Sequence, residues 1–322
     1  MFESSDLVSE DLKILENFLN NSSENSNISL VSSVISHLIK AGGKRLRPAL
    51  VFIVCKMLSC QDEEGKRIRV AAAIEFIHNA TLLHDDVLDE SDLRRGISTA
   101  NKIWGNKTSI LVGDFLLTMA FQWLIECENF DVLSILSQSS ATIVSGEIKQ
   151  MLICSNITMT EQDYIDVVSA KTAALFAASC EAAAALAKVS VQQREALKSF
   201  GVNFGIAFQI IDDVLDYSGE QSGKNLGNDF YNRKVTLPVI ISYSLADETE
   251  KEFWQSSFSA VENCSNFQKA ISYIKNHKAI ELAKEKAESY IKIAKESLDI
   301  FPSSLYKTAL INLLDFTLHR KL

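Results

Sequence analysis

Residues 82–89 read Leu-Leu-His-Asp-Asp-Val-Leu-Asp, and residues 210–216 read Ile-Ile-Asp-Asp-Val-Leu-Asp. The first stretch contains the first acidic group, Asp85, Asp86 and Asp89. The later stretch contains the second acidic group, Asp212, Asp213 and Asp216. Carboxylates are costly in such apolar surroundings unless they are paired or bind metal. Residues four apart share one face of a helix, so the outer aspartates of each group project together. We expect the two groups to face each other across a cavity and to hold Mg²⁺, whose remaining positions are filled by water and substrate phosphates.

Helical periodicity extends along the rest of the chain and predicts an all-α fold. Three prolines and 12 glycines in 322 residues leave few helix breaks, and no convincing period-two strand is present. Without a proline-rich linker, we expect one domain over residues 1–322. Loops are expected at 20–27, 89–99 and 218–234. Predicted helices cover 6–19, 30–40, 46–59, 65–88, 107–126, 131–154, 160–189, 192–217, 235–244, 248–258, 261–276, 278–298 and 303–317.

Composition excludes several classes of function. Hydrophobic residues make up 47% of the chain, enough for a sizeable core, and a net charge of −9 argues against nucleic-acid binding. The six cysteines show no metal-finger spacing, which favours buried, reduced thiols in a cytoplasmic protein. No signal peptide is evident. Thr172–Val189 is alanine-rich and carries Glu181, so we expect a buried packing helix and no transmembrane segment.

Basic residues cluster at two places and are suited to binding phosphate. Arg94 and Arg95 follow the first acidic group, and arginine offers a planar fork of donors that matches phosphate oxygens. Residues 42–48, Gly-Gly-Lys-Arg-Leu-Arg-Pro, bring Lys44 and Arg47 to a predicted helix start, where the helix dipole also favours anions. This segment is not a P-loop, because the GxxxxGK[ST] pattern is missing.

Further polar residues lie close to the second acidic group or on apolar helices. Lys224 and Lys234 belong to the glycine-containing loop after that group, which taken alone indicates only a surface turn. Lys171, beside Thr172, needs a partner in its apolar helix, and an anionic site would supply one. Gln209 precedes Asp212 by three residues. His78 lies seven residues before Asp85, and structural and functional roles for it are equally plausible.

The ordered set GGKRLRP, EFIHNATLLHDDVLDESDLRRG, VGDFLL, KTAALF, FQIIDDVLDYSG, GKNLGNDF and KVTLP resembles the trans-type polyprenyl diphosphate synthases. The bacterial octaprenyl and decaprenyl diphosphate synthases are the most similar members. The resemblance covers about residues 40–240. It implies an isoprenoid-synthase helical bundle around a central apolar cavity, usually a homodimer, with three Mg²⁺ ions per active site. Arg233 and Asn228 depart from the family pattern, which affects loop detail only.

The resemblance also implies roles for individual residues. The metal ligands would be Asp85, Asp86, Asp89, Asp212, Asp213 and Asp216. The catalytic set would be Asp85, Asp86, Asp89, Arg94, Lys171, Asp212, Asp213 and Lys224. Allylic diphosphate would contact Arg94, Lys171, Thr172, Gln209, Lys224 and Lys234. Isopentenyl diphosphate would contact Lys44, Arg47, His78 and Arg95.

The implied reaction joins isopentenyl diphosphate head-to-tail to an allylic diphosphate such as farnesyl diphosphate. Ala80 and Thr81, which precede Asp85, are small, so nothing closes the expected cavity one turn below the metals. This favours an octaprenyl to decaprenyl product, which fits a quinone side chain. A stripe of Phe115, Met119 and Trp123 either lines this cavity or packs in the core.

Several other kinds of protein share part of this pattern. A shorter-chain geranylgeranyl synthase or a subunit of a heteromeric synthase stays open. A cyclase of the same fold would have one aspartate-rich motif, whereas this chain has two. A catalytically inactive subunit would usually have lost the second acidic group. A purely structural bundle would have no reason to bury six aspartates.

Overall fold

The computed structural model describes residues 3–24, 28–61, 65–94, 96–153, 155–218, 226–259 and 266–319. These residues are almost entirely helical, which confirms the predicted all-α fold. Short 3-10 and π-helical segments cover Glu3–Val8 and Ser169–Ala173. The helices are α1 (Ser9–Glu24), α2 (Ser29–Lys40), α3 (Leu46–Met57), α4 (Lys66–Leu88), α5 (Ala100–Trp104), α6 (Asn106–Glu126), α7 (Phe130–Ile153), α8 (Glu161–Val168), α9 (Ala174–Leu186), α10 (Val191–Ser218), α11 (Asn228–Tyr231), α12 (Leu237–Leu245), α13 (Glu248–Ser259), α14 (Phe267–Asn276), α15 (Ala279–Ser297) and α16 (Leu305–Leu318).

Two local predictions were wrong. The polar segment at 20–27 is not all loop, because α1 continues to Glu24 and the Ser22 hydroxyl donates to the Phe18 carbonyl oxygen at 2.7 Å. The loop at 89–99 contains an antiparallel pair of two-residue strands, β1 (Leu93–Arg94) and β2 (Ile97–Ser98). The helix expected at 160–189 is present as one helical stretch, Glu161–Leu186, which contains a π-helical turn at Ser169–Ala173.

The chain divides into two compact units, and each is assembled from several separated stretches of sequence. Unit 1 contains residues 1–140, 175–198 and 298–313, and unit 2 contains residues 141–174, 199–297 and 314–322. The single domain over residues 1–322 therefore stays a prediction.

The core of unit 1 is organised around α4. This helix is apolar on nearly every side and is buried from Val70 to Ile77, as expected for a central helix. It packs mainly against α3 and α6. Trp123 of α6 contacts Phe76 of α4 and Phe18 of α1, with ring centroids 4.7 Å and 5.1 Å apart. Trp123 is therefore a core residue, and Ala80 is fully buried.

The core of unit 2 has an aromatic centre. Phe230 of α11 packs edge-on against Phe258 of α13 and also contacts Phe267 of α14, with ring centroids 5.8 Å and 5.7 Å apart. Gly227, before α11, has a φ of 78° and lies so close to Phe267 that a Cβ would come within 2.4 Å of that ring. Only glycine fits this turn. It brings the start of α11 against the core.

The predicted buried helix at 172–189 is confirmed over its central part, since Leu175–Ala185 are buried. None of the four cysteines that the structure describes is in a disulfide; Cys55, Cys127 and Cys180 are buried and Cys60 is half-buried. Burial raises the pKa of the Cys180 thiol, which keeps it protonated. The predictions for Cys154 and Cys264 lie outside the described residues.

Candidate active site

The first acidic group occupies the C-terminal end of α4. Asp86 is 3% exposed, and its Oδ1 accepts a hydrogen bond from Arg94 Nε at 2.9 Å and lies 2.8 Å from Arg94 Nη2 in an ion pair. Asp85 is half-buried and Asp89 is exposed. The Asp86 carboxylate is therefore buried and paired with Arg94, whereas the carboxylates of Asp85 and Asp89 are more accessible.

The loop after this group is held by backbone contacts. Asn101 Nδ2 donates to the carbonyl oxygens of Asp86 and Ser91, at 3.2 Å each. The Thr99 hydroxyl donates to the same Ser91 oxygen at 2.6 Å. These bonds hold the β1–β2 pair beside the end of α4. The position of Arg94 is therefore fixed by the loop backbone as well as by the ion pair with Asp86. Arg95 lies outside the described residues.

Helix α6 fixes the other side of α4. A Cβ on Gly113 would come within 2.2 Å of His84 Nε2, so this glycine permits the two helices to approach closely. His84 Nε2 lies 3.2 Å from the Ile110 carbonyl oxygen, and the Ser109 hydroxyl donates to the Leu83 oxygen at 3.0 Å. His84 thus packs against α6. It is not one of the predicted metal ligands, which are all carboxylates, as Mg²⁺ prefers.

The second acidic group contains a buried hydrogen-bond network. Asp213 is 5% exposed, and its two oxygens accept from Tyr164 Oη at 2.6 Å and Gln209 Nε2 at 2.8 Å. Thr172 Oγ1 donates to Gln209 Oε1 at 2.9 Å. Burial raises the pKa of Asp213 to about 7, although both hydrogen bonds act to lower it. The cost of burying this carboxylate is thus partly offset by two donors.

Asp216 holds the following loop. Its Oδ1 and Oδ2 accept from the backbone N–H groups of Asn228 at 3.2 Å and Asp229 at 2.9 Å, at the start of α11. Burial, together with neighbouring carboxylates, raises the pKa of Asp229, while Lys234 acts in the opposite direction. Asp212 and Lys234 are half-buried, and Lys224 lies outside the described residues.

Lys171 and Thr172 lie in the π-helical segment, a type of distortion that often occurs at functional sites. Lys171 Nζ contacts Glu147 Oε2 at 2.6 Å and Gln150 Oε1 at 2.9 Å, both on α7. A Cβ on Gly146 would meet the Ala170 Cβ at 2.7 Å, so this glycine permits the close approach of α7. We expected a partner for the charge of Lys171 in its apolar helix, and that partner is Glu147.

The basic segment at 42–48 separates into three environments. Arg45 adopts a left-handed conformation with φ of 47° and forms an ion pair with the buried Glu75 of α4. The Arg47 guanidinium lies 4.2 Å from the centre of the Phe176 ring, and burial lowers its pKa to about 10 while Glu75 acts to raise it. It stays charged at neutral pH. Lys44 is exposed, and His78 is half-buried on α4.

Each unit thus collects part of the predicted site. Unit 1 holds the first acidic group, Arg94, Lys44, Arg47 and His78, and unit 2 holds the second acidic group, Lys171, Thr172, Gln209 and Lys234. Among the residues described, no group of three or more His, Cys, Asp or Glu side chains is arranged to hold a metal ion. The oxygen-only donors of each acidic group fit Mg²⁺, which commonly uses one or two carboxylates and completes its shell with water and phosphate.

Sequence reasoning missed Tyr164, Glu147, Gln150 and Gly113. The signal for Tyr164 was present, because a tyrosine in an apolar helix usually needs a hydrogen-bond partner. The start of its helix was predicted correctly: Thr160 and Asp163 form a capping box at α8. Only the tertiary structure identifies its acceptor, Asp213 of α10.

Two helical stretches are long and apolar enough to cross a membrane, Asn106–Glu126 and Glu161–Leu186. In the second, 72% of the most apolar window is buried within the protein, as in a core helix. In the first, 39% is buried, and Leu111 and Ile125 are 67% and 63% exposed.

The sequence model of the polyprenyl synthetase family matches residues 28–274. The chain belongs to this family. It is 37% identical to an all-trans-nonaprenyl-diphosphate synthase of Rhodobacter capsulatus over 97% of this chain and 96% of that protein. It is 34% identical to an octaprenyl diphosphate synthase of Haemophilus influenzae, over 90% and 88% of the two chains.

A solved structure is also very similar. The polyprenyl synthase of Caulobacter crescentus, complexed with calcium and isoprenyl diphosphate, superposes with a TM-score of 0.94 at 38% identity and covers 99% of this chain and 97% of that one. The predicted family, helical fold and prenyltransferase activity are confirmed. The relatives favour a long-chain synthase over the shorter-chain alternative. Members of the family act on isopentenyl and allylic diphosphates and generally use a divalent metal.

Proposed function

We propose that this enzyme is a Mg²⁺-dependent long-chain trans-polyprenyl diphosphate synthase that extends an allylic diphosphate, such as farnesyl diphosphate, to an octaprenyl to decaprenyl product. The observation that carries this proposal is the pair of acidic groups, each with a buried carboxylate held by protein donors beside more accessible ones. Such an arrangement suits metal ions shared with a diphosphate. The relatives that make nonaprenyl and octaprenyl diphosphate support the product range.

Both acidic groups are proposed to serve the metal ions, about three per active site, and these ions neutralise the diphosphate leaving group when bound. Arg94, Lys171, Gln209 and Thr172 orient the allylic diphosphate, together with Lys224 and Lys234. Lys44, Arg47, His78 and Arg95 bind isopentenyl diphosphate. The charged state of Arg47 supports its part in this role.

The reaction follows from these contacts. The carbon–oxygen bond of the allylic diphosphate breaks, and basic side chains stabilise the departing charge. The double bond of isopentenyl diphosphate attacks the allylic cation and forms a carbon–carbon bond, after which a proton passes to the departing diphosphate. Apolar surroundings exclude water, which would otherwise quench the cation.

Product length depends on the space below the first acidic group. Ala80 lies five residues before Asp85, on the side of α4 that runs into the core of unit 1, and it is fully buried. An aromatic side chain in its place would project further into the core than the alanine methyl group does. We infer that the growing chain passes here, and that Phe115 and Met119, both half-buried, lie along its path.

Exposed apolar residues on α7 bear on the assembly of the enzyme. Val144, Ile148, Met151 and Leu152 of α7 are 52% to 77% exposed and form a stripe at helical spacing. Contiguous apolar surface of this kind is typical of protein–protein interfaces. We propose a homodimer through α7, a single domain over residues 1–322, and a cytoplasmic enzyme without transmembrane segments whose product supplies a ubiquinone side chain.

The deciding experiment incubates the pure protein with Mg²⁺, farnesyl diphosphate and isopentenyl diphosphate, and sizes the product by mass spectrometry. We expect a product of eight to ten isoprene units, no product after chelation of the metal, and a large loss of turnover in Asp85→Ala and Asp212→Ala. A shorter product would favour the geranylgeranyl alternative. An absence of elongation would overturn the proposed function.

A further inference from the structure

The carboxylate of Asp213 is held on both oxygens. Tyr164 Oη donates to Oδ2 from α8, and Gln209 Nε2 donates to Oδ1 from one turn earlier on α10. The orientation of the Gln209 amide is itself fixed, because its oxygen accepts from Thr172. Thr172 therefore donates to Gln209, and Gln209 donates to Asp213. Tyr164 donates to the other oxygen of Asp213.

This network joins two parts of unit 2. Tyr164 and Thr172 lie on one continuous helical stretch, Glu161–Leu186, and Gln209 and Asp213 lie one turn apart on α10. Two hydrogen bonds thus fix how α10 is rotated against that stretch. Asp212 adjoins Asp213 and Lys171 adjoins Thr172, so the same bonds fix the backbone from which both neighbouring side chains project.

The first acidic group shows the same division of roles. Asp86, its middle residue, is buried and held by Arg94, as Asp213 is held by Tyr164 and Gln209. Asp212 is half-buried, whereas Asp213 is buried. In both groups a buried aspartate bound by protein donors thus adjoins a more accessible one. Arg94 is an assigned site residue, but its counterpart Tyr164 has no assigned role.

We propose that Tyr164 is a positioning residue of the second acidic group: its hydroxyl holds Asp213 so that Asp212 faces the metal–diphosphate complex in a fixed orientation. The proposal rests on the proposed function. Tyr164 itself is 4% exposed and acts only through Asp213. Partners that orient metal-binding groups in this way typically change metal affinity or activity by 10- to 100-fold when they are removed.

The test is Tyr164→Phe, which keeps the ring and removes only the hydroxyl. Mn²⁺ binding is measured by electron paramagnetic resonance in the presence of inorganic diphosphate, and turnover is measured against Mg²⁺ concentration. We expect Mn²⁺ affinity and kcat each to fall by about 10-fold or more. The KM for isopentenyl diphosphate should stay unchanged, because its proposed ligands lie in unit 1.

Tyr273→Phe is the matched control, since Tyr273 is a half-buried tyrosine of the same unit that packs against Phe253. It should bind Mn²⁺ like the wild type. If Tyr164→Phe does not fold, Gln209→Leu removes the other hydrogen bond to Asp213. Its Mn²⁺ binding is measured without diphosphate, because Gln209 is also a proposed contact of the allylic diphosphate, and should weaken by a similar factor. Wild-type Mn²⁺ affinity in a folded Tyr164→Phe protein, or in Gln209→Leu when the first variant is unfolded, would overturn the proposal.

These measurements distinguish a failure of the proposed function from a failure of the proposed role of Tyr164. Wild-type protein that binds Mn²⁺ with diphosphate but elongates no chain would contradict the proposed function. The Mn²⁺ affinities of the variants would still decide the role of Tyr164. An active wild-type enzyme with unchanged Tyr164→Phe affinity would contradict the role of Tyr164 alone.

Discussion

Asp86 and Asp213 are buried, and each would be destabilising without its hydrogen-bond donors. An unpaired buried acceptor costs about 1–3 kcal/mol, and more when it is charged. Arg94 donates one hydrogen bond to Asp86 and forms an ion pair with it, and Tyr164 and Gln209 donate one hydrogen bond each to Asp213. At the residue scale, the cost of burying a carboxylate thus requires protein donors at Asp86 and Asp213, whereas the neighbouring aspartates are more accessible.

A prediction at this scale concerns Gly113, whose missing side chain makes room for His84. Gly113→Ala should lower the free energy of unfolding by about 1–3 kcal/mol, the usual cost of overpacking. Urea unfolding measures this change. In a His84→Ala background the same substitution should be neutral or stabilising, since alanine favours a helix over glycine by about 1 kcal/mol. Equal costs in both backgrounds would contradict the contact.

At the scale of elements, the π-helical segment between α8 and α9 determines where Lys171 and Thr172 point. A regular α-helix rotates successive side chains by a fixed angle, and a π-turn changes that phase locally. Thr172 turns to Gln209 on α10, while Lys171 turns to Glu147 and Gln150 on α7. Two adjacent residues therefore bind two different helices.

Gly146→Ala tests this arrangement. The new Cβ would lie 2.7 Å from the Ala170 Cβ and 3.0 Å from the Lys171 backbone nitrogen, and a backbone atom cannot move aside cheaply. We expect a loss of about 1–3 kcal/mol in the free energy of unfolding. The KM for the allylic diphosphate should also rise as Lys171 shifts.

Ser145→Ala is the control for Gly146→Ala, because Ser145 is the exposed neighbour on the same helix. It should change the urea midpoint and the KM very little. A Gly146→Ala enzyme with wild-type stability and KM would show that α7 and the π-helical segment have room to separate.

At the scale of the whole molecule, the exposed apolar stripe of α7 bears on assembly. Ile148 and Leu152 are 52% and 77% exposed, so a charged residue at either position should not destabilise the folded chain. Ile148→Glu with Leu152→Glu should give a monomer in sedimentation velocity, since burying unpaired carboxylates in an interface is costly. Gln138→Glu, at an exposed position of the same helix, should leave the dimer intact. A dimer that survives the double substitution would place the interface elsewhere.

The sequence by itself determined the helical class, most helix positions and the family. These follow from information that is local in the chain: apolar spacing, capping residues such as Thr160, and motifs whose residues lie within a few turns of one another. The two acidic groups and the basic residues around them were identified on the same basis. The tertiary structure alone decided which carboxylates are buried and by which donors, as Tyr164 and Asp213 are 49 residues apart in the chain. It also decided the π-helical turn at Lys171 and the contact of His84 with Gly113, because each depends on how closely two helices approach, which no local pattern specifies.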